Sequence, residues 1–287
     1  MENKNLKLKK QILKKLKTLK NNQEIHSLHL IGSHTNKNKK LDKINDFDLL
    51  ILLNNKLNPQ NYTKITNQLK EISKEFETNK IYINVETTHA NIKLKPKKQI
   101  NIQLHQLTYY YKEFIESFNQ GNLALHNWVL TAKTIFGTEL KELVQINPIS
   151  KNLLKHKRDS IIFFINIIQE KKNIGLKHIT QNNKLIKTPI NIPVTESDEL
   201  ELFYIAINET LGTLLKYTNQ QNKIYSTQKR EKFLLKTLNN KEYLKTYQIL
   251  KNIKIKLRNC QKIEFNLNYF KKTTLNILQD LKQKFEI

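Results

Sequence analysis

Residues 28–53 read LHLIGSHTNKNKKLDKINDFDLLILL. A short apolar run, Leu28 to Ile31, stops at Gly32-Ser33. A polar spacer follows, and Asp46-Phe47-Asp48 then leads straight into Leu49–Leu53. Strand side chains alternate with period two, so Asp46 and Asp48 share one face at a strand start, about 5–7 Å apart. Two carboxylates that close repel unless a cation lies between them. The hard cation that suits oxygen donors and phosphates is Mg²⁺. Gly32 lets the backbone come close to a phosphate, and Ser33 adds a hydroxyl and N–H groups to hold it. The pattern predicts a metal pair beside a phosphate cradle, the parts that phosphoryl or nucleotidyl transfer requires. The plainer alternative is a strand closed by a Gly-Ser turn, then a polar loop whose acids cap the next strand.

Taken in order, Ile31, Gly32, Ser33, Asp46, Phe47, Asp48 and Leu49 resemble the signature of the nucleotidyltransferase superfamily. DNA polymerase beta, poly(A) polymerase and the aminoglycoside nucleotidyltransferases belong to that superfamily. The match covers roughly the N-terminal third of the chain. The resemblance implies a DNA polymerase beta-like catalytic domain in which Asp46 and Asp48 hold Mg²⁺. The phosphates of a nucleoside triphosphate would lie over Gly32 and Ser33. A nucleoside monophosphate would move to a hydroxyl of RNA or tRNA, a small molecule or a protein.

The resemblance also implies a third carboxylate on a later strand, facing the first two, which helps hold the metal and takes a proton from the attacking hydroxyl. Three readings stay open. Glu86, in Val85-Glu86-Thr87, is the third acid. Alternatively His105 or Gln103, in Asn101-Ile102-Gln103-Leu104-His105, replaces it. In the third reading the site has decayed. Of the two replacements only His105 can act as a base, because imidazole titrates near neutrality.

The chain has 287 residues and an ordinary apolar fraction of 38%, enough for two modest cores. No apolar run is long enough to cross a bilayer, so no membrane partner is expected. The N-terminal MENKNLKLKKQILKKLKTLK is basic and amphipathic without a continuous apolar stretch, which argues against a secretory signal. Cys260 is the single cysteine, so no internal disulfide forms and the cytoplasm is the expected location. The net charge of +25 comes almost wholly from lysine, with Arg at 158, 230 and 258 alone. Lysine and asparagine in this abundance, with few Gly and Pro, are the mark of an AT-rich coding sequence. The resulting field still attracts RNA and triphosphates.

Periodicity divides the chain in two. Residues 5–22 read as a helix, 26–32 and 46–53 as strands, and Asn58-Pro59 opens a helix through Phe76. Residues 80–88 and 99–107 alternate as half-buried strands joined by a turn at 95–98. The expected fold class is α+β, with a small mixed sheet and helices forming a catalytic domain over 1–108. Residues 109–287 are expected to be a helical bundle. Its helices run 109–118, 123–136 (stopped by Gly137), 153–168, 200–217, 228–257 with a break near Asn239-Asn240, and 264–285. A polar loop containing Pro189 and Pro193 is expected before Thr195-x-x-Asp198, a helix-opening capping box. This two-part order resembles the aminoglycoside nucleotidyltransferases and their toxin–antitoxin relatives, and Thr134–Gly137 resembles the aromatic-glycine turn after their catalytic domain.

Lesser candidates each have a plain reading beside the functional one. Lys93, Lys95 and His34 could meet phosphate or be surface residues. Trp128 could stack on a base or pack in a core. Lys155, Lys157 and Arg158 could touch an RNA backbone or be a solvated face. Asp42 reads as a loop residue. Glu196, Asp198, Glu199 and Glu201 could form an acidic pocket for a cationic acceptor or serve a helix start. The alternative to an enzyme is a catalytically impaired protein of the same fold, acting as an RNA-binding or toxin–antitoxin interaction module.

Overall fold

The computed structural model describes residues 2–36, 38–89 and 98–287. Most of the turn expected at 95–98, and with it Lys93 and Lys95, lies outside these residues. The fold is mixed α and β, a five-stranded mixed sheet with helices. The chain forms two compact units, residues 1–145 with 174–190 and residues 146–173 with 191–287.

The first unit begins with α1 (Glu2–Leu16) and a 3₁₀ turn, then β1 (Ile25–Ile31), β2 (Ile44–Leu53) and α2 (Pro59–Phe76). Asn58 caps α2. Its side chain accepts from the Asn61 amide, and Asn61 reciprocates on the Asn58 amide, each at 2.9 Å. After β3 (Ile81–Glu86) and β4 (Thr88–His89) comes β5 (Ile100–Tyr110). α3 (Tyr111–Asn119), α4 (Leu123–Thr131), β6 (Lys133–Gly137) and the single turn α5 (Leu140–Leu143) complete the stretch. The sheet order is β3-β5-β2-β1-β6. β5 runs parallel to β2 and β3, while β1 is antiparallel to β2 and β6.

Alternation gives the sheet two apolar faces. Phe47, Leu49, Ile51 and Leu53 of β2 join Leu28, Leu30, Ile102 and Leu104 under Ile12 and Leu16 of α1 and Ile65 and Leu69 of α2. Each wholly buried side chain of this size contributes about 1.5–3 kcal/mol. Leu50 and Leu52, on the opposite face, are also wholly buried, and α3 packs there against β2 and β5. Asp46 and Asp48 lie on that second face, at the start of β2, and are half-buried.

Two expectations are corrected. The helix expected over 123–136 ends at Thr131, and residues 133–137 form β6. Thr134, Ile135 and Phe136 are β-branched or aromatic, and the open edge of β1 recruits them. The loop expected around Pro189 and Pro193 is instead a hairpin, β7 (Lys172–Gln181) and β8 (Lys184–Pro193). Asn182 and Asn183 turn it with φ of +51° and +56°, the left-handed pair that tight hairpins need. Both prolines sit on β8, the edge of the order β4-β7-β8, where no amide is required of them. β6 and the hairpin belong to the first unit, so the boundary expected at 108/109 falls inside that unit, within β5.

The second unit consists of α6 (Lys151–Glu170), α7 (Glu196–Asn219), α8 (Thr227–Leu238), α9 (Lys241–Arg258) and α10 (Leu267–Lys284). All five contribute to one core that includes Phe164, Phe203, Leu234, Tyr247 and Ile277. Thr195 and Asp198 form the expected capping box on α7. Asn239, at φ +47°, and the cap Asn240 separate α8 from α9.

Candidate active site

β1 ends where β2 begins, with Ile31 opposite Asp48. Gly32 follows at φ +73°, a conformation glycine adopts without steric cost. A Cβ on Gly32 would lie 2.6 Å from Asp48 Oδ2. The bare Cα is therefore what lets the carboxylate rest against the Gly-Ser turn. Ser33 is exposed, and its Oγ accepts from Lys39 Nζ at 2.6 Å. The spacer is held from α1. Lys9, only 3% exposed, donates to the Asn36 and Lys39 carbonyls at 2.7 and 3.0 Å. Burial, aided by the Lys133 charge, pulls the Lys9 ammonium below its ordinary pKa.

The parallel register of β2, β5 and β3 arranges the acids. Asp46 stands opposite Gln103, Asp48 opposite His105, and Glu86 opposite His105 from the far side. Asp48, His105 and Glu86 thus form a row on one face. His105 Nδ1 lies 3.0 Å from Asp48 Oδ1, and Nε2 lies 2.8 Å from the Thr88 carbonyl. A carboxylate and a carbonyl only accept, so both contacts are satisfied when both ring nitrogens carry hydrogen. Burial works against that charge. The Asp48 hydrogen bond and charge, the Thr88 carbonyl and Glu86 outweigh it and raise His105 above its ordinary pKa.

Glu86 lies two strand spacings from Asp48, about 10 Å. Its Oε1 accepts from the Thr87 and Thr88 amides at 2.8 and 2.7 Å. The structure therefore gathers Gly32, Ser33, Asp46 and Asp48, and it sets Glu86 apart with His105 between. Gln103 is buried opposite Asp46.

Among the described residues, no three of His, Cys, Asp and Glu converge as metal ligands. Two carboxylates nevertheless suit Mg²⁺, which takes one or two and completes its shell with water and substrate phosphate. Asp48 resting on Gly32 puts the pair beside the turn that would cradle those phosphates.

Thr88, Lys39 and Lys9 were not foreseen. Their roles arise from pairings distant in sequence, and each is unremarkable as a residue type. The hairpin was also missed, although alternation around Asn182-Asn183 signals it. β7 pairs with β4, Thr88 opposite Lys177, and so adjoins the carbonyl that holds His105. His178 of β7 packs on Tyr62 with ring centroids 5.0 Å apart. Burial, with the Lys187 charge, lowers its pKa to about 4.

The lesser candidates resolve individually. His34 is buried against Phe47, ring centroids 4.7 Å apart, rather than turned to a phosphate. Trp128 is half-buried and meets Tyr109 edge-on. Asp42 is half-buried in the spacer. Lys155 and Arg158 are exposed, but Lys157 is buried with Nζ 5.7 Å from the Phe164 ring centroid. Glu196 is exposed and Asp198 serves the α7 cap. Glu199 and Glu201 are buried. Glu199 pairs with Lys171 at 3.3 Å, and Glu201 with Lys254 at 3.4 Å and Arg258 at 3.1 Å. Among the described residues no helix is long and apolar enough to cross a membrane. No protein-family model matches the chain, and no curated protein matches it.

Proposed function

We propose that the chain is a Mg²⁺-dependent nucleotidyltransferase that moves a nucleoside monophosphate from a triphosphate to a hydroxyl acceptor. The first unit is the nucleotidyltransferase head, and the helices of the second form a bundle domain. The observation that carries this reading is the abutment of Asp48 on Gly32, where the carboxylate oxygen takes the space a Cβ would fill. It joins the turn suited to phosphate and the carboxylates suited to metal into one site.

The Gly32-Ser33 backbone holds the triphosphate, and Lys39, bonded to Ser33 Oγ, adds a positive charge at its rim. Asp46 and Asp48 would hold Mg²⁺, which would supply positive charge beside the phosphates and the pyrophosphate leaving group. His105 fixes the Asp48 carboxylate through Oδ1. The remaining contribution of these residues is positioning and charge stabilisation.

The +25 charge supports RNA, such as a tRNA, as acceptor. The burial of Glu199 and Glu201 in ion pairs speaks against an acidic pocket for a cationic antibiotic. A single exposed cysteine, Cys260, suits a reducing compartment, and the cytoplasm is the proposed place of action. A second reading, an impaired enzyme serving as an RNA-binding or toxin–antitoxin module, draws on His105 and Gln103 standing beside Asp48 and Asp46.

Pyrophosphate release from each triphosphate, with total tRNA and Mg²⁺, tests the proposal. Asp46→Asn and Asp48→Asn should each reduce the rate by about 100-fold or more, the scale of losing a main electrostatic contact. Equal release by wild type and both variants would overturn it.

A further inference from the structure

We propose that Lys9 and Asn5 of α1 are positioning residues that set the affinity of the Gly32-Ser33 cradle for a polyphosphate. The inference deepens the nucleotidyl-transfer reading and rests on its assignment of the cradle. Asn5 and Lys9 are one helical turn apart and share a face of α1. Lys9 Nζ donates to the carbonyls of Asn36 and Lys39, and Asn5 Nδ2 donates to the carbonyl of Leu41 at 3.3 Å. Two side chains of one helix thus hold three carbonyls of the segment that joins the cradle to the aspartates.

From these carbonyls the bonding runs on to both halves of the site. Toward the cradle, the Asn36 carbonyl also accepts from the Lys39 amide at 3.1 Å, and Lys39 Nζ reaches Ser33 Oγ. Thr35 Oγ1 donates to the Gly32 carbonyl at 2.8 Å. Toward the aspartates, Leu41 is buried in the sheet core. The Asp42 amide donates to Asn45 Oδ1 and Asn45 Nδ2 to the Asp42 carbonyl, each at 2.8 Å, immediately before Asp46.

Stability alone gives no reason for a lysine at position 9. The residue is buried, and among the described residues its ammonium is bonded to two carbonyls and to no carboxylate. Neutral carbonyls replace the lost hydration of an ammonium only in part, and an apolar side chain of similar length would avoid that loss. What the ammonium adds is reach: it bonds two carbonyls three residues apart and so fixes the path of the spacer. A cradle fixed beforehand loses less conformational freedom when a polyphosphate binds.

Calorimetric titration of the full chain with inorganic tripolyphosphate and Mg²⁺, at fixed ionic strength, tests the proposal. Lys9→Met should weaken binding about tenfold, the effect of a cradle correctly formed about one-tenth of the time. Asn5→Ala, which leaves the charge unchanged, should weaken it about threefold. Lys10→Met and Lys133→Met each remove an exposed charge and no bond to the spacer, and should change affinity less than twofold. The Asn38, Lys39 and Asp42 amides, bonded within the spacer, should exchange faster in Lys9→Met while amides of α2 keep their protection. Where wild type turns over a triphosphate, Lys9→Met should raise KM and leave kcat unchanged, the mark of lost binding alone. If Lys9→Met folds poorly, Asn5→Ala alone decides. Wild type that binds no tripolyphosphate, equal affinity in wild type, Lys9→Met and Asn5→Ala, or an equal loss in Lys133→Met would overturn the proposal. The transfer reading fails separately: wild type that binds tripolyphosphate with this variant pattern but turns over no triphosphate sinks that reading and leaves the positioning role standing.

Discussion

At Gly32 two demands coincide: a φ of +73° and an Asp48 oxygen where a side chain would start. Gly32→Ala should therefore cost about 2–3 kcal/mol in urea denaturation, the scale of a strained left-handed residue with a displaced neighbour. Unchanged stability would mean that the turn does not hold the carboxylate. His29 makes a separate prediction. It is wholly buried, its ring nitrogens lie 2.8 Å from Ser27 Oγ and 3.1 Å from Thr134 Oγ1, and burial, with the His26 charge, holds its pKa at about 4. A histidine lowered on folding stabilises fully above its unfolded value of about 6.5 and loses that stability as pH falls through the folded one. The loss amounts to about 3 kcal/mol. Melting curves should therefore decline between pH 6.5 and 4, less steeply in His29→Gln. The shared face of Asp46 and Asp48 was legible because strand alternation is local. The His105–Asp48 contact joins residues 57 apart and depends on the register of β5 against β2, which no local pattern specifies.

Among elements, those with chemical punctuation were legible. Asn58-Pro59 announces α2, and Thr195 with Asp198 announces α7. β6 was not, because a short apolar run following a helix satisfies both periodicities. What decides it is the edge of β1, more than a hundred residues earlier. Gly137 records that pairing. At φ +83°, a Cβ there would lie 2.4 Å from the His26 carbonyl. Gly137→Ala should loosen β6 from β1, seen as faster hydrogen exchange of amides 133–137, while amides in α2 keep their protection. Unaltered exchange across β6 would contradict the pairing. The hairpin was hidden for another reason: its two prolines read as loop signals, although an edge strand tolerates them.

At the scale of the molecule, the change from alternating to helical periodicity near residue 108 is real but does not mark the limit of a unit. β6 and the hairpin pair with strands of the first unit, so 133–137 and 174–190 belong with it. Composition announced a polyanion-attracting surface through +25 charges, yet not their inward use at Lys9, Lys157 and Lys216, each less than 5% exposed. The central claim is that Gly32-Ser33 and Asp46-Asp48 form one site of nucleotidyl transfer. The most direct measurement follows label from each α-labelled nucleoside triphosphate onto total tRNA, aminoglycosides or the protein itself, with Mg²⁺. The account predicts label on one acceptor class, RNA foremost, and none with Asp46→Ala/Asp48→Ala. Label reaching no acceptor from any triphosphate, while the wild-type chain binds RNA, would contradict it and favour the impaired module.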